Sequence, residues 1–209
     1  MAARRTTGLS GLDAQIGGGV PAGTVHLLLG EPMNAFELFA AHFAAGGVTS
    51  GPVVYLATER APTEILDSVA RVGGDGKKVE VVVLPVKGKW DIPNIRAGAR
   101  TIIDDFSTIA LEVGFEESLD RLRALREQVR KGGSEMLVAM TAGILDKASE
   151  TRMRMWADGV MELGFDRQGF GLYPYLKVTK MRGIPESSRF ILFKETDSGL
   201  FMESTRRVF

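Results

Sequence analysis

The chain has 209 residues, of which 44% are hydrophobic and 25% are charged, with 26 basic and 26 acidic side chains. This length and composition predict one domain, over residues 1–209, with a substantial core. The zero net charge argues against a dedicated nucleic-acid binder. The lack of cysteine excludes disulfides, cysteine-ligated zinc and thiol catalysis, and two histidines argue against a His-rich metal site.

The first predicted strand, Val25–Leu29, leads into a segment that stands where a phosphate-binding loop would lie between a strand and a helix. Such a loop reads Gly, four residues, Gly, Lys, then Ser or Thr. Here only the first glycine is kept, because Ala35 replaces the second glycine, Phe36 the lysine and Glu37 the hydroxyl residue. We interpret this loop segment as a vestigial phosphate loop, made of Gly30, Glu31, Pro32, Met33, Asn34, Ala35, Phe36 and Glu37.

Each replacement in the loop segment removes a group that a triphosphate needs. Phe36 supplies no positive charge to the β- and γ-phosphates, and Glu37 puts a carboxylate where a hydroxyl would hold Mg²⁺. Met33 and Ala35 resist the positive φ with which glycines curl around an anion. Because Glu37 falls in the first turn of the next helix, its charge suits the helix dipole. We therefore expect an empty loop, partly satisfied by its own carboxylate.

Further apolar runs predict strands that alternate with helices. Several of these runs are almost continuously apolar, which is typical of parallel strands that helices cover on both faces. The predicted strands are Val53–Ala57, Val79–Leu84, Arg100–Asp104 and Glu135–Met140.

Three helical stretches accompany these strands: Leu38–Ala45, Pro62–Val72 and Phe115–Lys131. The second has proline in its first turn, a favoured position. The third has acidic residues at its start and basic residues at its end, matching the helix dipole, and Gly132–Gly133 follows as a stop signal.

Two kinds of residue within these elements are interpreted as core. His26 lies in an apolar strand. Phe36, Phe39 and Phe43 recur at helical spacing, which fits core packing better than a platform for stacking bases.

After Gly159 the pattern changes to short strands joined by tight turns, with turn signals at Asp166–Gly169 and Asp197–Gly199. The predicted fold class is α/β, with a mostly parallel central sheet flanked by helices and continued by antiparallel C-terminal strands. These last strands are Gly159–Leu163, Tyr175–Lys180, Arg189–Lys194 and Leu200–Glu203.

Several segments, in this order and over nearly the whole chain, resemble the KaiC-like branch of the RecA-type ATPases, which have the P-loop NTPase fold. The segments that carry the resemblance are Thr7–Asp13, Gly17–Thr24, Gly30–Pro32, Val53–Glu59, Thr101–Asp104, Ala157–Leu163 and Lys177–Gly183.

The resemblance implies ATP binding between subunits, usually in hexameric rings. It implies that Asp104 would organise Mg²⁺ and water, and that Glu59 matches the first of a pair of acids that activate water. It further implies that Lys180 and Arg182 would reach toward the γ-phosphate of a neighbouring subunit.

The sequence departs from the family pattern beyond the loop segment. Arg60 follows Glu59 where a second acid is common, so these two residues could instead form a local ion pair. Ile184 and Glu186 replace the Thr and His often found there, which weakens the interface role.

Alternatives to these site roles remain open. Asp104 lies at the carboxyl end of a strand, the usual ligand position in open sheets, yet it could with Asp105 simply cap the next element. Lys180 and Arg182 could project from a solvent-facing strand.

Three functional hypotheses follow. The first is a non-catalytic pseudo-ATPase, without a resident cofactor or metal, that regulates or supports itself or a related KaiC-like ATPase through protein contacts. The second is weak binding of ATP or ADP with Mg²⁺ at a subunit interface, with slow or no hydrolysis, for which Arg60 is the one basic candidate near the loop segment. The third is an accessory single-stranded DNA binder that uses Lys147–Trp156, although this stretch also reads as a helix with a Met and Trp core face.

No uninterrupted apolar run approaches the ~20 residues that a membrane helix needs. The first residues lack the apolar core of a secretory signal. We therefore expect a cytoplasmic protein with no membrane partner and no preference for nucleic acid.

Overall fold

A computed structural model describes residues 3–85, 91–168, 171–183 and 190–203. Strands and helices alternate through its first two thirds, and strands follow. The strands are β1 (Arg4–Arg5), β2 (Val20–Pro21), β3 (Thr24–Gly30), β4 (Val53–Ala57), β5 (Val79–Val83), β6 (Arg100–Asp104), β7 (Glu135–Thr141), β8 (Gly159–Gln168), β9 (Gly171–Met181), β10 (Phe190–Thr196) and β11 (Gly199–Met202). The helices are α1 (Ser10–Gln15), α2 (Asn34–Gly47), α3 (Pro62–Arg71), α4 (Phe106–Val113), α5 (Phe115–Gly132) and α6 (Lys147–Trp156), with a 3₁₀ turn at Gly76–Lys78.

The main sheet has the strand order β11-β10-β9-β8-β3-β7-β6-β4-β5 among the described residues, and β1 pairs with β2 beside it. The strands from β8 through β3 to β5 run parallel, whereas β8, β9, β10 and β11 are antiparallel neighbours. The predicted fold class is therefore confirmed.

Helices cover both faces of the central strands, and β3 and β6 are buried along their whole length. Successive residues of β3 point to opposite faces of the sheet. Leu28 belongs to the core cluster that contains Phe39 of α2, and Leu27 belongs to the cluster that contains Leu122 of α5. His26 is fully buried, and burial lowers its pKa to about 4. The core interpretation of His26 and of the phenylalanine stripe is confirmed.

Local signals place most element ends correctly. The strands Val53–Ala57 and Arg100–Asp104 were predicted with their observed bounds. Gly133 ends α5 in the left-handed conformation, with φ 61°. Asp146 caps α6, because its Oδ1 accepts a hydrogen bond from Ser149 N at 2.9 Å.

The largest boundary errors are at the start of α2 and in the hairpin of β8 and β9. Helix α2 begins at Asn34 rather than Leu38, because the last residues of the loop segment join its first turn and Phe36 enters the core. Asp166 was predicted in a turn but lies within β8, where it pairs with Tyr173 of β9 in an extended hairpin. The turn at Asp197–Gly199 is confirmed, while Gly169 and Arg189 lie outside the described residues.

Among the described segments, none of the helices has the length and apolar character needed to span a bilayer.

Candidate functional site

A cleft of about 450 Å³ opens at the carboxyl ends of β3, β4, β6 and β7. In open α/β sheets this edge is where ligands bind. The cleft brings together part of the loop segment, Glu59 and Asp104. It is lined by Pro32, Met33, Phe36, Glu37, Thr58, Glu59, Arg60, Asp104, Asp105 and Thr141.

The loop segment is short as a loop, since three residues separate the end of β3 at Gly30 from the start of α2. Met33 precedes α2 with extended backbone, φ −156° and ψ 154°, and Phe36 N donates to Met33 O at 3.0 Å. Phe36 is 7% exposed. Its ring lies against Gly30, because a Cβ atom placed on Gly30 would be 3.5 Å from Phe36 Cδ2. The residue at the lysine position therefore packs beneath the loop.

Arg60 connects the two sides of the cleft. Its Nη2 lies 3.3 Å from Glu37 Oε2, and its Nη1 lies 3.5 Å from Asp104 Oδ2. Its Nη2 also donates to Ser68 Oγ on α3 at 3.0 Å. Burial disfavours the charged guanidinium, but the negative groups around it outweigh that cost and raise the pKa of Arg60. A fixed internal cation thus joins the hydroxyl position of the loop segment to the acid at the end of β6.

Asp104 also accepts a hydrogen bond from a neighbouring strand. The hydroxyl of Tyr55 donates to Asp104 Oδ2 at 2.5 Å. Burial, and then the charge of Asp104, raise the pKa of Tyr55 well above its usual value. The same carboxylate oxygen therefore serves both Tyr55 and Arg60, in a buried position.

The helix-capping role considered for the Asp104–Asp105 pair belongs to Asp105. Its Oδ1 accepts from Ser107 N at 2.5 Å at the start of α4, and its Oδ2 accepts from Thr141 N at 3.2 Å and from the Thr141 hydroxyl. Burial raises the pKa of Asp105, against the hydrogen bonds from Thr141 and Ser107. Asp105 therefore holds β6, α4 and β7 together at the floor of the cleft.

Glu59 is exposed at the cleft rim, and among the described residues the ion pairs of Arg60 are those with Glu37 and Asp104. Arg60 therefore pairs with acids of α2 and β6 rather than with Glu59, the local partner that the sequence left open. Sequence reasoning named Arg60 but missed Tyr55, which has no polar neighbour in its apolar strand to mark it.

Lys180 and Arg182 lie at the opposite edge of the sheet, where β3 begins. Lys180 Nζ donates to the carbonyl oxygens of Arg154, Met155 and Ala157, at 3.1, 2.9 and 2.6 Å, so it caps the end of α6. Arg182 is partly exposed and pairs with Asp158 at 3.2 Å. Within one chain these two residues are therefore separated from the cleft.

The stretch Lys147–Trp156, considered for DNA binding, forms α6. Its Arg152 pairs with Glu116 and its Arg154 pairs with Glu162, so both arginines face an acid. Ile184 and Glu186 lie outside the described residues.

Curated relatives align over nearly the whole chain at low identity. A UPF0273 protein of Methanopyrus kandleri is 25% identical over 228 residues, covering 94% of this chain and 90% of that protein. A UPF0273 protein of Pyrococcus horikoshii is 24% identical over 238 residues, covering 97% and 94%.

The fold has a solved counterpart in a KaiC-like protein from the hyperthermophilic archaeon Pyrococcus horikoshii. The two structures superpose with a TM-score of 0.77 at 22% identity, over 97% of this chain and all of the other. The chain therefore has the fold of a KaiC-like RecA-type domain. A model of a family of unknown function, DUF7125, matches residues 4–198, and the chain belongs to this family.

Proposed function

We propose that this chain is a non-catalytic KaiC/RecA-like protein, a pseudo-ATPase that acts as a regulator or scaffold through contacts with other proteins. The observation that carries this proposal is the Glu37–Arg60–Asp104 bridge, in which one guanidinium joins two carboxylates across the cleft. In an active site of this class, the corresponding positions would hold Mg²⁺ on the triphosphate.

The charge of the cleft supports the proposal. Four carboxyl groups line it, from Glu37, Glu59, Asp104 and Asp105, against the single guanidinium of Arg60. A carboxylate held about 4 Å from a phosphate oxygen repels it by on the order of 4 kcal/mol at an effective dielectric of about 20. A triphosphate would meet this repulsion without the lysine that normally offsets it.

The shape of the loop segment argues in the same direction. A phosphate loop needs several free backbone N–H groups around the anion. Here Asn34 already begins α2, and the N–H of Phe36 is bonded to Met33 O. The residues at this position therefore fit a closed turn better than a cradle for ATP and Mg²⁺.

A second candidate, weak binding of ATP or ADP with Mg²⁺, draws on the cleft itself. The KaiC-like fold is consistent with nucleotide binding, and the cleft of about 450 Å³ lies at the expected sheet edge. Arg60 could exchange Glu37 for a phosphate, because the Glu37 side chain is 54% exposed. This candidate predicts slow or no hydrolysis, since the groups that stabilise the transition state would still be missing.

The partners proposed are a second copy of this chain or a related KaiC-like ATPase, because the KaiC-like fold is kept while the Arg60 bridge spans the cleft. Nucleic acid is disfavoured as a partner. The arginines of α6 that suggested it, Arg152 and Arg154, are each paired with an acid.

Calorimetry with ATP and ADP in the presence of Mg²⁺ tests the proposal. The natural chain should give no saturable heat, and Phe36→Lys/Glu37→Thr, which restores the lysine and the hydroxyl, serves as the comparison. Micromolar binding by the natural chain would overturn the proposal in favour of the second candidate. Arg60→Gln would then show whether Arg60 contacts the phosphates.

A further inference from the structure

Three arginines converge on one buried carboxylate at the edge of the sheet where β3 begins. The Nη2 atoms of Arg126, Arg130 and Arg182 lie 3.0, 3.5 and 3.2 Å from the same oxygen, Asp158 Oδ1. The other oxygen accepts a hydrogen bond from Val25 N at 3.1 Å. The carboxylate is therefore saturated by the groups around it.

The charge of this cluster does not balance. Among the residues that the structure describes, these three guanidiniums pair with one carboxylate, so two of their positive charges have no paired counter-charge there. Lys180 adds a further cation, whose Nζ donates to backbone carbonyls at the end of α6. Burial lowers the pKa of Lys180, and the positive charges of Arg126 and Arg182 lower it further while Asp158 opposes them. An added anion would relieve this repulsion.

Two of the three arginines are accessible to a ligand. The side chain of Arg126 is 16% exposed and lies over the ring of Trp156, with 5.2 Å from its Cζ to the ring centroid, so it forms the inner wall. The side chains of Arg130 and Arg182 are 38% and 63% exposed. Each guanidinium has five N–H donors. Within the described residues, Arg130 and Arg182 each pair with the Asp158 carboxylate. Most of their donors therefore remain free for solvent or a ligand.

The surrounding charges limit the size of that ligand. Neighbouring arginines on α5 and α6 are neutralised, since Arg123 pairs with Asp120 and Arg152 with Glu116. A polynucleotide would need a basic track along the surface, and the zero net charge of the chain gives it no such support. The excess charge of the three arginines lies around one oxygen atom, Asp158 Oδ1, which suits a single oxyanion.

We propose that Arg126, Arg130 and Arg182 form a binding site for a phosphate-type oxyanion, carried by a small molecule, beside Asp158. Guanidiniums bind phosphate oxygens through paired, charge-assisted hydrogen bonds. Asp158 cannot accept such pairs from three arginines, because one of its oxygens already accepts a hydrogen bond from Val25 N. Because this cluster lies at the opposite edge of the sheet from the cleft within one chain, phosphate binding at the cluster can be measured separately from nucleotide binding in the cleft.

Titration calorimetry with inorganic phosphate and with phenyl phosphate, at constant ionic strength in a chloride buffer, tests this site. We expect saturable binding of both, competition by sulfate, and a loss of at least about tenfold in affinity for Arg130→Gln and for Arg182→Gln. Arg123→Gln is the matched control, because it removes an exposed arginine of α5 that lies in a separate ion pair. Its affinity should equal that of the natural chain.

Three results would overturn the proposal. The first is heat no larger than that of chloride, which would mean that the cluster binds no oxyanion. The second is an equal loss of affinity in Arg123→Gln, which would indicate nonspecific charge attraction. The third is tight, steeply salt-dependent binding of a 20-nucleotide oligothymidine together with no binding of inorganic phosphate or phenyl phosphate. This result would assign the cluster to nucleic acid. A thermal unfolding scan of each variant verifies that it is folded before titration.

Discussion

The guanidinium of Arg60 lies 3.5 Å from the carboxylate of Asp104, joining the segment between β4 and α3 to the residue that ends β6. The same guanidinium reaches Glu37 in the first turn of α2. A contact between the loop segment and the acidic end of β6 is thus made here by a side chain of the protein.

Removing Arg60 should destabilise the fold. Arg60→Ala leaves the buried Asp104 carboxylate without its cationic partner, so we expect a loss of about 2–3 kcal/mol in the free energy of unfolding. Urea denaturation at neutral pH measures this loss. Arg123→Ala, which breaks the exposed pair with Asp120, should cost less than about 1 kcal/mol. A loss for Arg60→Ala no greater than that of the control would show that the bridge contributes nothing.

Placing a lysine at position 36 alone should also be costly. Phe36 is buried against Gly30, so Phe36→Lys replaces core packing with a charge that has no partner there. We expect about 3 kcal/mol or more of destabilisation, against about 1 kcal/mol for Phe36→Leu. Thermal and urea unfolding of the two variants compare these costs. Equal stability of Phe36→Lys and the natural chain would mean that the loop segment can open to solvent.

Much of the fold, but less of the cleft, could be predicted from the sequence. The strand Arg100–Asp104 and the helix from Phe115 were found because their apolar and charge patterns are local. The early start of α2 depends on where Phe36 packs, which only the folded core decides. The contacts of Arg60 with Glu37 and Asp104 join residues far apart in sequence, and no local pattern encodes which acid Arg60 will face.

Stability should fall in mild acid because of His26. Its pKa is about 4 in the fold, below the 6.5 of an unfolded histidine, so the unfolded chain binds the additional proton between these values. The stabilising contribution is therefore complete above about pH 6.5 and is lost progressively as the pH falls toward 4, with a slope of up to about 1.4 kcal/mol per pH unit.

Urea unfolding between pH 4 and 7 measures that slope. His26→Gln keeps a polar group near Thr24 Oγ1. It should remove the part of the slope that corresponds to about one proton taken up on unfolding. The part due to His42, whose pKa burial also lowers, should remain. An unchanged slope in His26→Gln would assign the acid sensitivity to other groups.

Asp158 should be essential for the stability of the arginine cluster. Asp158→Asn keeps the shape of the side chain but removes the one negative charge that three guanidiniums share, so we expect about 3 kcal/mol of destabilisation. Chemical denaturation in chloride buffer checks this value. A loss below about 1 kcal/mol would mean that solvent already screens the arginines from Asp158.

The most direct test of the central claim is to observe the Arg60 side chain during a titration with Mg²⁺-ATP. The N–H resonances of its guanidinium can be followed by nuclear magnetic resonance, with Arg60→Gln providing their assignment. If the bridge to Glu37 and Asp104 takes the place of nucleotide, these resonances should stay unchanged up to about 1 mM Mg²⁺-ATP, a concentration that would detect all but very weak binding. A saturable shift of the Arg60 resonances would contradict the account, because it would show that Arg60 leaves its carboxylates for a phosphate.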